Sequence, residues 1–529
     1  MNIITYYYHQ LVVISPAKNY KKHMKKLAFL LLMLPALFGQ AQKKHNPAPY
    51  SKTIKADDLK KHLYIVAGEE MGGREATTEG ERKAAAYIIN EFSRIGLVPG
   101  NKGSYQQFFP VYQDSLISSS LVVNGKEFTP GKDFIASPQA NYTATLMGSE
   151  VVFAGNGIVD STRNDYKDIN ANGKIVLIIP QAAPASGAPR QRRTSPYALQ
   201  EAAMKNGAAA VLVVQGNFPR QTNNNLGSMT MNGYKNTIYP NAFMISEEVA
   251  QAIMGEDFKS AKEGLINTSA KDAVYKANVK MQFEKQTNVL QSSNIVGLIE
   301  GTDLKDEYVV LTAHYDHVGK RGDSVIYYGA DDDGSGTVSL IEFAEAFQKA
   351  KKDGKGPRRS IVIMAVSGEE KGLWGSGYYG DNPLFPLEKT TVNLNTDMIG
   401  RIDPKRKVGD STNYVYVVGD DKLSTDLRTI SEAMNKKHTK LELDYKFNDP
   451  NDTERIYYRS DHYNFARRGV PIIFYFNGTH ADYHRPTDTP DKINYDLMEK
   501  RARFIFHTAW EMANRNEMLK RDIPLPKAF

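Results

Sequence analysis

The fold is decided by Leu311-Thr-Ala-His314-Tyr-Asp316-His317, which is followed by the acidic turn Gly329-Ala-Asp331-Asp332-Asp333-Gly-Ser-Gly336. The apolar run 308–313 predicts a buried strand. His314 and Asp316 therefore lie where that strand ends, a position at which side chains can converge on a ligand.

Strands and helices alternate on both sides of this stretch. Residues 336–351 have the apolar spacing of a helix, and the runs 360–366, 391–394 and 471–476 are typical of buried strands. This alternation predicts an α/β fold with a mixed, mostly parallel sheet and helices on both faces.

The composition argues against several kinds of partner and site. Residues 1–41 contain five lysines and no acidic residue, so the formal net charge of +7 falls to +2 without them. That balance gives no reason to expect nucleic acid or an anionic membrane surface as a partner. The chain has no cysteine, so a metal ion must be held by histidine, aspartate or glutamate.

The segment from Met24 to Ala41 has a basic start, a short apolar core and small residues at Gly39 and Ala41. This pattern predicts a signal peptide cleaved after Ala41, and residues 1–23 are unusual upstream of one, which suggests that translation begins at Met24. A membrane anchor is the alternative, but the apolar run is shorter than the roughly 20 residues that a spanning helix needs. We expect an exported protein, periplasmic or secreted, with no stable membrane anchor.

Candidate ligands follow four of the predicted strands. They are His314 and Asp316, Glu369 and Glu370, Asp397, and His484, with Asp332 in the loop after the first strand. Each motif alone has a simpler explanation, such as a helix-capping turn at the three aspartates or a solvated turn at the paired glutamates. Together they predict one edge of the sheet at which two cations share a bridging aspartate, beside an adjacent carboxylate that moves protons.

These motifs resemble the co-catalytic dizinc aminopeptidase family, which includes bacterial leucyl aminopeptidase and glutamate carboxypeptidase. The resemblance rests on His314-x-Asp316, the acidic turn, Ser367-Gly-Glu369-Glu370-x-Gly372, Asn395-Thr-Asp397-Met398 and His484-Arg-Pro-Thr-Asp488. It spans most of residues 56–143 and 285–515. The resemblance implies the zinc aminopeptidase fold and two zinc ions per chain.

The family's residue roles transfer to the matching positions. The resemblance implies that His314, Asp332 and Asp397 hold one zinc ion, and that Asp332, Glu370 and His484 hold the other. Glu369 is then the general base, Asp316 orients His314, and Tyr457 stabilises the oxyanion. A cis peptide is implied after Asp332. Asp488 is expected to support His484, whereas His317 and His480 are expected to be pocket walls or alternative ligands, with His317 not needed for zinc.

Residues 144–284 differ in texture from their surroundings, with short strands and turns rich in asparagine and glycine. Residues 166–173 and 208–214 resemble the protease-associated domain, a small β-rich module inserted in several peptidase families. The predicted organisation is a signal peptide over 1–41, a peptidase domain over 42–143 and 285–529, and this inserted domain between its two parts.

The sequence therefore predicts an exported zinc metallopeptidase, specifically an aminopeptidase that releases N-terminal residues from peptides through a metal-bridging hydroxide. The alternatives are a carboxypeptidase or dipeptidase of the same family, or a single-zinc glutaminyl cyclase. A non-catalytic ectodomain that has lost its ligands is disfavoured, because every ligand position is filled. The expected partners are peptide substrates.

Overall fold

A computed structural model describes residues 45–180, 195–220, 225–264 and 274–525. The described residues from Tyr50 onwards form one compact unit. The predicted signal peptide therefore lies outside the described residues. Within the described residues, no helix is long and apolar enough to cross a membrane.

The described residues contain eighteen strands. They are β1 (Val98–Pro99), β2 (Gln106–Val123), β3 (Lys126–Phe128), β4 (Phe134–Ile135), β5 (Ala144–Phe153), β6 (Ile175–Ile178), β7 (Ala210–Val214), β8 (Leu226–Thr230), β9 (Asn241–Ile245), β10 (Val274–Ile299), β11 (Leu304–His314), β12 (Lys320–Arg321), β13 (Val325–Ile326), β14 (Arg359–Val366), β15 (Thr390–Thr396), β16 (Tyr414–Val418), β17 (Glu442–Asp444) and β18 (Ile472–Phe476).

The helices lie between these strands and at both ends of the described chain. They are α1 (Ala48–Ser51), α2 (Ala56–Val66), α3 (Glu79–Ile95), α4 (Pro196–Lys205), α5 (Glu247–Met254), α6 (Asp257–Lys262), α7 (Gly336–Lys352), α8 (Trp374–Asp381), α9 (Leu427–His438), α10 (His462–Ala466) and α11 (Tyr495–Asn514). Single 3-10 turns lie at Glu69–Met71, Leu387–Lys389, Lys446–Asn448, Ile456–Tyr458 and Pro490–Lys492.

Four neighbouring parallel strands form the centre of the sheet, in the order β18, β15, β11, β14. All are fully buried apart from the first half of β11. Successive side chains of these strands point into two cores on opposite faces of the sheet. Leu311 lies in the core formed with helices α2, α3, α7 and α11, and Val310 lies in the core formed with α8 and α10. The predicted α/β sheet with helices on both faces is confirmed.

Strands β2 and β10 are the longest of the described strands. Strand β2 is paired along almost its whole length with residues 279–295 of β10. β10 also pairs with β14 in the central sheet and with β5 in the segment 144–284. The strands β5, β6, β7 and β9 of that segment surround a core separate from those of the central strands, and residues 121–136 contribute to it as well. Its strands continue the same sheet of sixteen described strands.

Candidate metal centre

The four central strands end at one edge of the sheet, and the predicted ligands follow these ends. His314 is the last residue of β11, Asp397 directly follows β15, and Glu370 follows β14 by four residues. His484 is carried by the loop after β18. Parallel strands that are buried on both faces deliver their following residues to the same edge, so side chains distant in sequence meet there.

The first ligand group consists of His314, Asp332 and Asp397. Nε2 of His314 lies 3.3 Å from Oδ1 of Asp332 and 3.6 Å from Oδ1 of Asp397. Two donor atoms bound to one zinc ion at about 2.0–2.2 Å in tetrahedral geometry lie about 3.3–3.6 Å apart. The observed separations have this size, so these three side chains can hold one zinc ion.

Asp332 turns its other oxygen towards a second group. Nε2 of His484 lies 3.1 Å from Oδ2 of Asp332 and 2.9 Å from Oε2 of Glu370. His317 faces the same group, with Nδ1 2.9 Å from Oε1 of Glu370 and 3.7 Å from Oδ2 of Asp332. The geometry disagrees with the expectation that His317 is not needed, because its ring turns into the group and offers a nitrogen beside that of His484.

The donor atoms are buried and lack hydrogen-bond partners. They are Nε2 of His314, Nδ1 of His317, Nε2 of His484, Oδ2 of Asp332 and Oε1 of Glu370. Leaving a buried polar atom unpaired costs about 1–3 kcal/mol, yet these atoms point at one another without hydrogen-bonding geometry, as ligands directed at a common ion do. Imidazole nitrogen and carboxylate oxygen are both zinc donors. The residues present therefore fit two zinc ions.

The crowding of carboxylates changes the acidity of the site. Burial acts to lower the pKa of His314, but the charges of Glu369 and Asp397 outweigh it and raise this pKa well above its ordinary value. Burial also acts to lower the pKa of His484, but the neighbouring carboxylates outweigh it and raise this pKa to about 10. Burial and the charge of Glu370 hold the pKa of Glu369 well above its ordinary value. A bound cation favours the deprotonated form of all three groups.

Asp316 lies behind both His314 and Glu369. Nδ1 of His314 is 3.1 Å from the carbonyl oxygen of Asp316 and 3.7 Å from its Oδ1. The same Oδ1 accepts a hydrogen bond of 3.2 Å from the backbone N–H of Glu369. Burial raises the pKa of Asp316 to about 8, against the opposing effect of His314. The residue is thus placed to orient His314, as predicted, although its carbonyl oxygen is the closer acceptor.

Glu369 belongs to neither ligand group. Its Oε2 lies 3.9 Å from Nε2 of His314, next to the first group, and its side chain is 12% exposed. A carboxylate that faces the ligands without joining them is free to exchange a proton.

The three aspartates of the acidic turn have different partners. Oδ1 of Asp333 accepts a hydrogen bond of 3.1 Å from the backbone N–H of Met398, which joins the turn to the segment after β15. Oδ2 of Asp331 is 3.1 Å from Nε2 of His480, so His480 supports the turn and is not directed at the ligand groups. Only Asp332 faces both groups. The Asp332–Asp333 peptide is cis, as the resemblance implies.

Asp488 does not support His484, contrary to the prediction. Its Oδ2 accepts hydrogen bonds from the backbone N–H groups of Asp331, at 3.0 Å, and Asp332, at 3.2 Å. Asp488 therefore fixes the backbone of the bridging aspartate. His484 is held instead by Tyr483, whose ring stacks on the imidazole with centroids 3.9 Å apart.

The structure does not bring Tyr457 to the ligands. Its ring packs against the rings of Tyr458, Tyr463 and His462 in a buried aromatic cluster, and its hydroxyl makes no hydrogen bond to any described residue. Tyr483 is the better-placed tyrosine. Burial and the charges of nearby carboxylates, Asp332 among them, raise its pKa. The stacked ring of Tyr483 therefore lies beside the second ligand group, a proximity that its adjacency to His484 in sequence could have suggested.

Arg74 is a second residue that the sequence did not reveal as part of the site. It is fully buried, and its guanidinium donates to the carbonyl oxygens of Val66, Tyr315, Tyr328 and Gly329 at 2.7–2.9 Å. These bonds tie the start of the acidic turn to the segment after β11. Arg74 thereby supports the two loops that carry the ligands, and it adds a positive charge to an acidic region.

The fold and the two ligand groups place a candidate two-cation site at the edge of an α/β sheet. Residues 294–509 match the model of Peptidase family M28. The predicted resemblance to zinc metallopeptidases is thereby confirmed.

Known proteins resemble parts of the chain. It is 35% identical over 120 residues to a probable glutamate carboxypeptidase of Arabidopsis thaliana, covering 22% of this chain and 16% of that protein. It is 33% identical over 141 residues to aminopeptidase YwaD of Bacillus subtilis, covering 26% of this chain and 27% of that protein. The chain thus spans about a quarter or less of the length of these curated relatives.

The solved structure of an aminopeptidase from Aneurinibacillus sp. strain AM-1 has the same fold. The two structures superpose with a TM-score of 0.52 at 18% sequence identity, over 92% of this chain and 100% of the other. The predicted zinc aminopeptidase fold is confirmed by this similarity.

Proposed function

We propose that the protein is an exported aminopeptidase that uses two zinc ions. The observation that carries the proposal is the orientation of Asp332, with Oδ1 3.3 Å from His314 and Oδ2 3.1 Å from His484. One carboxylate that serves two ligand groups is the arrangement that a two-metal hydrolase requires. The proposed ligands are His314, Asp332 and Asp397 for one ion, and Asp332, Glu370 and His484 for the other.

The chain's own residues supply the remaining roles. Zinc, when bound, supplies a Lewis acid and brings water to a pKa of about 7. Glu369 accepts a proton from the nucleophilic water and passes it to the leaving amine. Asp316 positions His314 and Glu369 together. We assign to the hydroxyl of Tyr483, whose ring stacks on His484, the hydrogen bond to the developing oxyanion.

The named relatives include both an aminopeptidase and a glutamate carboxypeptidase, and one feature of the site favours a carboxypeptidase or dipeptidase. Nη2 of Arg459 donates to the hydroxyl of Tyr483 at 3.4 Å, and its side chain is otherwise exposed. A guanidinium beside the site can bind a substrate carboxylate.

The experiment is a matched set of one tetrapeptide with free ends, with an acetylated N-terminus and with an amidated C-terminus. An aminopeptidase cleaves the amidated peptide and not the acetylated one. Cleavage of the acetylated peptide alone would refute the proposal and support a carboxypeptidase.

Metal counting separates the proposal from a single-zinc glutaminyl cyclase. We expect two zinc ions per chain by elemental analysis after dialysis against micromolar zinc. One ion per chain, with cyclisation of N-terminal glutamine, would support the cyclase.

Export and the inserted domain complete the proposal. The pattern at residues 24–41 supports a cleaved signal peptide, and N-terminal sequencing of the purified native protein should begin at Gln42. The separate core of β5, β6, β7 and β9 supports an inserted protease-associated domain over 144–284.

A further inference from the structure

Two imidazoles face the second ligand group. Glu370 directs Oε1 to Nδ1 of His317 and Oε2 to Nε2 of His484, each at 2.9 Å. The rings of His317 and His484 lie at 69° with centroids 5.7 Å apart, so neither blocks the other. The first group has a single imidazole, that of His314.

The ring of His317 has no other function in the described structure. It is completely buried, and neither Nδ1 nor Nε2 has a hydrogen-bond partner. A buried histidine with a structural role normally satisfies at least one ring nitrogen. Nδ1 of His317 lies 2.9 Å from Oε1 of Glu370 and 3.7 Å from Oδ2 of Asp332. Two donor atoms on one zinc ion are expected to lie about 3.3–3.6 Å apart, a value between these two distances.

The backbone is shaped to seat this ring. A Cβ atom added at Gly329 would lie 2.5 Å from Cγ of His317, so only glycine leaves room for the imidazole there. The backbone N–H of His317 donates to the carbonyl oxygen of Arg74 at 3.2 Å. Gly329 is itself held through its carbonyl oxygen by Arg74. One buried arginine therefore fixes both His317 and the residue it packs on.

We infer that His317 is a fourth protein ligand at the Glu370 position, binding through Nδ1 beside Nε2 of His484. This inference rests on the proposed two-zinc function and assigns different characters to its two ions. The Glu370 position receives two imidazoles and two carboxylates, a complete tetrahedral set. The Asp397 position receives three protein donors and keeps an open coordination site, as catalytic zinc does. The ion beside Glu370 is therefore the more tightly held.

The first test compares zinc affinities by competition with a chelator in wild-type protein, His317→Leu and the control His507→Leu. His507 is also a buried histidine, but it belongs to neither ligand group. We expect His317→Leu to weaken binding of the tighter ion by more than about 100-fold. Loss of a residue that only hydrogen-bonds a metal ligand costs about tenfold to hundredfold in metal affinity, so a larger loss identifies a ligand. The control should retain wild-type affinity. A smaller loss in His317→Leu overturns the inference.

The second test uses the wild-type enzyme and does not depend on a folded variant. X-ray absorption at the zinc edge should show three imidazoles for two zinc ions: one from His314 and one each from His317 and His484. Two imidazoles for two ions would overturn the inference and leave the proposed function intact. Binding of a single zinc ion at saturation would refute the proposed function itself.

Discussion

Replacing Glu369 by glutamine removes the proton acceptor and keeps the shape of the side chain. Glu369 lies outside both ligand groups, 3.9 Å from Nε2 of His314, and its backbone N–H is held by Asp316. The backbone hydrogen bond does not depend on the charge of its carboxylate. We therefore expect Glu369→Gln to fold normally, to bind two zinc ions and to lose turnover.

The expected loss follows from the role of a positioned base. General acid–base catalysis contributes about 10²–10⁴-fold, which corresponds to about 2.7–5.4 kcal/mol in the activation barrier. The loss falls on kcat, because the proton moves only in the transition state and KM reports ground-state binding. Steady-state hydrolysis of an amino-acid nitroanilide, with zinc content measured on the same samples, gives both quantities.

The matched control is Glu388→Gln, which changes an exposed glutamate in the turn before β15. It should leave kcat and zinc content unchanged. The reasoning is refuted if Glu369→Gln retains kcat within tenfold of wild type. It is also refuted if the lost activity is accompanied by loss of zinc, since Glu369 would then be a ligand.

Four further outcomes are expected. Arg74→Met should lower the free energy of unfolding measured in urea titrations, because four carbonyl oxygens lose their donor and each buried acceptor left unpaired costs about 1–3 kcal/mol. Reloading metal-free protein with zinc at pH 7.5 should release at least two protons, one each from His314 and His484, because imidazoles must be neutral to bind; calorimetry in two buffers counts them. Burial lowers the pKa of His462 to about 3, so this residue alone should make stability fall by about 1.4 kcal/mol per pH unit below about pH 6.5. Tyr483→Phe should lower kcat by about 10²–10³-fold with zinc retained.

Each of these outcomes has a contrary result. A loss below 1 kcal/mol in Arg74→Met would mean that water replaces the guanidinium at its carbonyl partners. Zinc binding without proton release would show that His314 and His484 are already neutral at pH 7.5. An unchanged acid limb in His462→Gln would assign the acid sensitivity to other groups. A larger effect on kcat in Tyr457→Phe than in Tyr483→Phe would restore the original prediction for Tyr457.

The central sheet and the ligands that follow its strands could be predicted because both depend on local signals. Apolar runs of five to eight residues are typical of strands buried on both faces. A charged residue directly after such a run must therefore lie at the edge of the sheet where the strand ends. His314 and Asp397 were found in this way, and both lie in the first ligand group. The long-range pairing that completes the fold leaves no such signal.

The partners of Asp488, Tyr483 and Arg74 could not be predicted from spacing. Asp488 is close to His484 in sequence, but its carboxylate turns to backbone N–H groups more than 150 residues away. Arg74 binds four carbonyl groups, which every residue type possesses. The length of β10 was missed because its first half is polar on alternate residues and half exposed. Pairing with strands on both sides overrides that weak local preference.

Strand β10 connects the segment 144–284 directly to the loop that carries Glu369. Its first half pairs with β5 in the segment 144–284. In its second half, Asn294 donates to the carbonyl oxygen of Gly375 at 2.8 Å and accepts from the backbone N–H of Ser367, so it grips both ends of the loop that carries Glu369. Because β10 is a single strand, a displacement of the segment 144–284 would be passed directly to the loop that carries the proposed base, Glu369. Deleting that segment would remove the first part of β10, and we expect it to disturb the position of Glu369.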